Sequence, residues 1–100
     1  MNKIYHTVIN ENQIIGIGPL MRKKDETQLF LKCYFDLYLY SYKIEITTDY
    51  LTTMDSENLK LDLQEFQHMY TALKSSIQSG NWDIYEVYMK EKEKTKNPLV

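Results

Sequence analysis

Between Gln28 and Tyr40, apolar and polar positions alternate with a period of two. Leu29, Leu31, Cys33, Phe35, Leu37 and Leu39 share one parity, and Phe30, Lys32, Tyr34, Asp36, Tyr38 and Tyr40 share the other. Successive side chains of a strand point to opposite faces, so this spacing predicts a strand with one aliphatic face and one aromatic, partly charged face. The alternation restarts after Ser41, with Tyr42, Ile44, Ile46 and Thr48 set against Lys43, Glu45 and Thr47. Two strands are therefore predicted, with a break between Asp36 and Ser41. The Asn-Gly or glycine-containing pairs that usually fix a tight hairpin are missing there.

Upstream, Lys3–Ile9 alternates and is rich in β-formers, which predicts a first strand. Asn10-Glu11-Asn12 supplies a turn, and Gln13–Met21 reads as a second strand forming a hairpin with the first. Gly16, Gly18 and Pro19 interrupt that second strand. Proline has no N–H to give to a central ladder, so the strand is expected at an edge or bulged near Pro19. Arg22–Glu26 reads as a solvated, charged hairpin tip, and Asp49–Lys60 as polar and irregular, with a short extended piece at Leu59–Leu61.

The pattern changes to a helical period at Asp62–Ser79. Leu63, Phe66, Tyr70, Leu73 and Ile77 recur at spacings of three and four, flanked by Met69 and Ala72. Asp62 followed by Glu65 resembles a capping box, and Gly80 sits where a left-handed C-cap is expected. This stripe should pack on the aliphatic face of the sheet. Trp82–Met89 alternates well enough to read as a further strand, with a short helix as the alternative. Residues 91–100 read as a charged tail following a single domain at 1–90. The fold class is α+β: an antiparallel sheet of four to five strands, one long helix on one face, order β-β-β-β-α.

Composition narrows the function classes. The 12 basic and 14 acidic residues give a net charge of −2, and Arg22 is the only arginine. Phosphate-driven binding to nucleic acid or anionic membrane is therefore disfavoured. Cys33 is the one cysteine, so no intrachain disulfide forms. The first six residues lack the apolar core of a secretory leader, and no apolar run reaches membrane-spanning length. Cytoplasmic residence is the expectation. Nine tyrosines stand out against the roughly three that average usage gives a chain of this size.

Motifs with chemical meaning are scarce. Gly16-x-Gly18-Pro19 lacks the third glycine and following helix of a dinucleotide site. Cys33 shares parity with aliphatic residues, so it is expected in the core rather than as a nucleophile. His6 and His68 show no metal-ligand spacing, and the scattered carboxylates form no acid–base pair. No catalytic residue, cofactor or metal site is expected.

What remains is the aromatic parity, with Phe30, Lys32, Tyr34, Tyr38 and Tyr40 opposite the helix. Tyrosine gives large contact area at low entropic cost, so this face is expected to meet another protein or a second copy of the chain. Stacking of single-stranded nucleic acid on the same face is the alternative, disfavoured by the acidic balance. A small-ligand or catalytic pocket at the sheet–helix edge is the third reading.

Overall fold

The computed structural model of the chain describes residues 2–5, 7–24, 30–51 and 56–96; the side chains of 24, 30, 31, 49–51, 56–62 and 94–96 lie outside that description. The elements are β1 (Asn2–Ile4), β2 (Thr7–Ile9), a 3-10 turn (Glu11–Gln13), β3 (Ile14–Ile17), β4 (Met21–Lys24), β5 (Phe30–Leu39), β6 (Lys43–Leu51), α1 (Ser56–Ser79) and α2 (Asp83–Lys96). The α+β class and the long helix against one face of an antiparallel sheet are as the sequence predicts.

The long alternating segment forms β5 and β6, paired antiparallel without a slip from Phe30↔Leu51 to Tyr38↔Lys43. The break falls at Tyr40-Ser41, where the Leu39 N–H donates to the Tyr42 carbonyl at 2.8 Å. Neither loop residue has positive φ. On the other side of β5, β3 and β4 pair in line, with Gly16↔Tyr38 and Ile17↔Leu37 followed by Met21↔Tyr34 and Arg22↔Cys33. The Gly18 N–H still reaches the Asp36 carbonyl at 2.8 Å. Pro19 and Leu20 thus stand opposite the single residue Phe35, a bulge where the missing proline N–H costs no ladder bond. A second bulge falls at Ile15, between Ile14↔Leu39 and Gly16↔Tyr38.

Several expectations are corrected. Lys3–Ile9 is two short strands folded on each other, Ile4 opposite Thr7, instead of one. Tyr5 makes the turn at φ 57, a left-handed conformation uncommon for a large side chain. Its ring packs edge-on against Phe66 (5.3 Å), and its hydroxyl donates to Thr48 Oγ1 at 2.7 Å. Those tertiary contacts offset the local strain. With β1 and β2 paired to each other, the predicted hairpin between Lys3–Ile9 and Gln13–Met21 does not form. Arg22–Lys24 belongs to β4 rather than to a loop tip, while 25 and 26 lie outside the described residues. Strand β6 runs on to Leu51, and α1 begins at Ser56, so Asp62 is inside the helix and Leu59–Leu61 is helical.

Trp82–Met89 is also corrected, from strand to helix. Asp83 and Glu86 sit in the first turn, and the Asp83 N–H is held by Asn81 Oδ1 at 3.1 Å. The helix runs through Lys96, past the start of the expected tail. Gly80 turns the chain between the helices at φ 75, its N–H bonded to the Ser76 carbonyl at 2.9 Å, the C-cap predicted for it.

The core lies between the aliphatic sheet face and the helices. Cys33, Phe35, Leu37, Leu39 and Ile46 meet Phe66, Met69, Tyr70 and Leu73 of α1, and Phe35 contacts both Phe66 and Tyr70. Ile4 and Ile9 of the small hairpin and Tyr85 of α2 complete the core. Ser76 is fully buried where the helices cross, and its Oγ accepts the Tyr85 N–H at 2.9 Å. A larger residue there would hold the helices apart.

Candidate interaction face

The unbroken β5–β6 register places Lys32, Tyr34, Asp36 and Tyr38 of β5 on the sheet face away from α1, together with Lys43, Glu45 and Thr47 of β6. The pairings of β4 add Met21 beside Tyr34 and Lys23 beside Lys32. Among the described residues, no element packs over this face.

Charges at the centre of the face are paired with each other. Lys32 Nζ lies 5.0 Å from the centre of the Tyr34 ring and 2.8 Å from Glu45 Oε1. The lysine therefore runs along the Tyr34 ring, which is only half exposed. Lys43 Nζ is 3.6 Å from Asp36 Oδ2. Lys32 and Lys43 are each matched by a carboxylate, and Lys23 stands beside Lys32 as a third lysine of the face.

Tyr38 is the open ring, 40% exposed. Its floor is glycine: a methyl group on Gly16 would lie 3.7 Å from Tyr38 Cδ2, and one on Gly18 would lie 3.4 Å from the Tyr38 hydroxyl. The ring lies across the neighbouring strand over the two glycines, close enough that a methyl group on either would just touch it. Tyr38 is thus an exposed aromatic on the central strand, at the last pair before the β5–β6 turn.

Of the predicted face residues, Lys32, Tyr34 and Tyr38 are brought together as expected. Phe30 opens β5 opposite Leu51, and its side chain lies outside the described residues. Tyr40 lies beyond the end of β5, in the connecting loop, and is 75% exposed. The face residues that sequence reasoning missed are Met21, Asp36, Lys43 and Glu45. The parity of Asp36 was visible, but its pairing with Lys43 depends on strand register.

Cys33 is buried in the core, whereas His68 is on the exposed side of α1. Cys33 is 2% exposed, and burial pushes its thiol pKa up, partly opposed by Arg22. His68 is exposed on α1, beside an open groove of about 240 Å³ lined by Glu65, Tyr88, Glu91 and Lys92. His6 lies outside the described residues. No cluster of three potential metal ligands occurs among the described residues. A second groove, of about 280 Å³, lies at the start of β6, lined by Val8, Ile9, Asn10, Gln13, Leu39, Tyr42 and Ile44. It carries no ionisable carboxylate, histidine or cysteine.

Burial raises the phenol pKa of three tyrosines between the layers. Tyr85 is pushed up to about 12, with Tyr88 adding to the effect. Tyr88 is raised by burial and by the nearby Glu65 carboxylate. Tyr70 is raised by burial and partly opposed by the Leu20 backbone. All three hydroxyls donate to main-chain carbonyls: Tyr70 to Gly18 at 2.7 Å, Tyr85 to Lys3 at 2.8 Å and Tyr88 to Glu65 at 3.3 Å. These bonds fasten elements together. No described helix is long and apolar enough to cross a membrane.

Comparison with family models, with curated proteins and with solved structures gives no match. The functional reading rests on the geometry of the chain itself.

Proposed function

We propose that this chain is a non-catalytic protein-binding module that engages a partner protein through the sheet face opposite α1. The observation that carries the reading is Tyr38, an open aromatic ring lying across Gly16 and Gly18 on the central strand of that face, next to the β5–β6 turn. Around it stand Tyr34, Met21 and two internally balanced ion pairs, Lys32–Glu45 and Lys43–Asp36. An aromatic anchor within a polar, charged surround has the make-up of an interface hot spot and its rim. The net charge of −2, with Lys32 and Lys43 already matched by carboxylates, favours a protein partner over nucleic acid.

The test uses the full chain as bait in affinity capture, wild type beside Tyr38→Ala, followed by titration of the retained protein. Loss of an aromatic hot spot costs about 2 kcal/mol or more, which is roughly a 30-fold weaker Kd. Far-UV circular dichroism checks that the variant is folded. Retention of the same proteins with the same affinity by both forms would remove the face as the binding site.

A further inference from the structure

We propose that the β1–β2 hairpin is a separately opening lid on the helix side of the sheet, latched shut by the side chain of Tyr5 and the hydroxyl of Tyr85. The hairpin is a sheet of its own: two strands of three residues pair with each other and with no other described strand. A hairpin of that size is not stable by itself in water. Its turn is also unfavourable, because Tyr5 sits at φ 57, where tight hairpins ordinarily carry glycine or asparagine. Neither strand pairing nor backbone preference therefore keeps this segment folded.

Tertiary contacts close it, each to a different element. The Tyr5 hydroxyl donates to Thr48 Oγ1 of β6 at 2.7 Å, and its ring stands edge-on to Phe66 of α1 at 5.3 Å. From α2, the Tyr85 hydroxyl donates to the Lys3 carbonyl at 2.8 Å. Ile4 and Ile9 are buried beneath the hairpin, while Val8 is 63% exposed.

Opening breaks these two hydrogen bonds and the ring contact and uncovers Ile4 and Ile9. It leaves the β3–β6 sheet whole, and it leaves the helices joined through the Tyr85 N–H and Ser76 Oγ. In return the segment regains its conformational freedom, and Tyr5 leaves its left-handed backbone state. The lid therefore belongs to the low-stability end of the fold and opens at a smaller free-energy cost than the whole domain. The open state exposes the Phe66 ring and strips Thr48 and the Tyr85 hydroxyl of their hairpin partners. Thr48 pairs with the buried Cys33, on the helix side of the sheet, so the lid and the proposed binding face are on opposite sides.

Residue-resolved native-state hydrogen exchange of the full chain by NMR, in stepped low urea, tests the lid. Relative to their unfolded-chain rates, the protected amides of β1 and β2 should exchange at least ~100-fold faster than those of Phe35 and Leu37 on β5. Urea should accelerate the β5 amides and leave the hairpin amides nearly unchanged, because a local opening exposes little surface. Gly80→Ala, at the distant helix turn, should speed the β5 amides about tenfold and leave the hairpin amides as they were. Tyr5→Phe keeps the ring and drops the bond to Thr48, so it should speed the hairpin amides about fivefold. Equal protection of hairpin and β5 amides overturns the proposal, as does a hairpin response to urea or to Gly80→Ala that matches that of β5. Hairpin amides with no protection at all overturn the latch, and so does unchanged hairpin exchange in Tyr5→Phe.

Discussion

Replacing Tyr85 by phenylalanine removes one hydrogen bond and one titratable group from the centre of the molecule. The ring is 1% exposed, and its hydroxyl donates to the Lys3 carbonyl at 2.8 Å, tying α2 to β1. The substitution leaves that carbonyl without this partner, at a cost of about 1–1.5 kcal/mol at neutral pH. In a domain of this size that lowers Tm by about 5–10 °C. The alkaline behaviour runs the other way. Burial raises the Tyr85 phenol from its ordinary 10 to about 12, so only the unfolded chain deprotonates between those values. The wild-type contribution is intact below pH 10 and is lost as pH rises through 12. The total loss is roughly 3 kcal/mol at about 1.36 kcal/mol per pKa step. Tyr85→Phe carries no such loss. Tyr70 and Tyr88, also raised, titrate in both proteins and cancel in the difference. The two stability curves should therefore cross at pH ~11, wild type higher below and the variant higher above. Urea unfolding followed by Trp82 fluorescence at stepped pH measures both curves. Parallel curves, or no loss at neutral pH, would refute the buried Tyr85–Lys3 contact.

Two further outcomes follow from buried and strained positions. Cys33, buried with a raised thiol pKa, should react with a thiol reagent at least ~100-fold more slowly in the native chain than in urea; equal rates would place it at the surface. Gly80→Ala should cost about 1–2 kcal/mol, because φ 75 is strained for a side chain even though nothing lies within 4 Å of the added carbon. Asparagine at the same position should recover part of that loss, and unchanged urea midpoints in both variants would contradict the left-handed C-cap.

The parts of the fold legible in the sequence were those with a long, single-period signal. The parity of Leu31–Leu39 assigned Cys33, Phe35, Leu37 and Leu39 to the core and Lys32, Tyr34 and Tyr38 to the opposite face. The Leu63–Ile77 stripe and Gly80 located the body and end of α1. Short segments failed for a physical reason. Lys3–Ile9 alternates as a strand should, but the contacts of Tyr5 with Phe66 and Thr48 support a turn in its middle. In Trp82–Met89 a helical stripe of Trp82, Tyr85 and Tyr88 coexists with the alternation. The burial of Tyr85 against α1 and β1 accompanies the helical choice.

The interaction face divides in the same way. That Lys32, Tyr34 and Tyr38 lie opposite the helix followed from side-chain parity, which is a local property of an extended chain. Which residues complete it did not. Met21 joins Tyr34, Lys32 reaches Glu45, and Tyr38 lies over Gly16 and Gly18 only because strands distant in sequence are held in one register. Register is a collective result of burying Phe35, Leu37 and Ile46 beneath α1, since a one-residue slip would turn them to solvent. The sequence by itself determined the faces, and the tertiary structure decided who shares them.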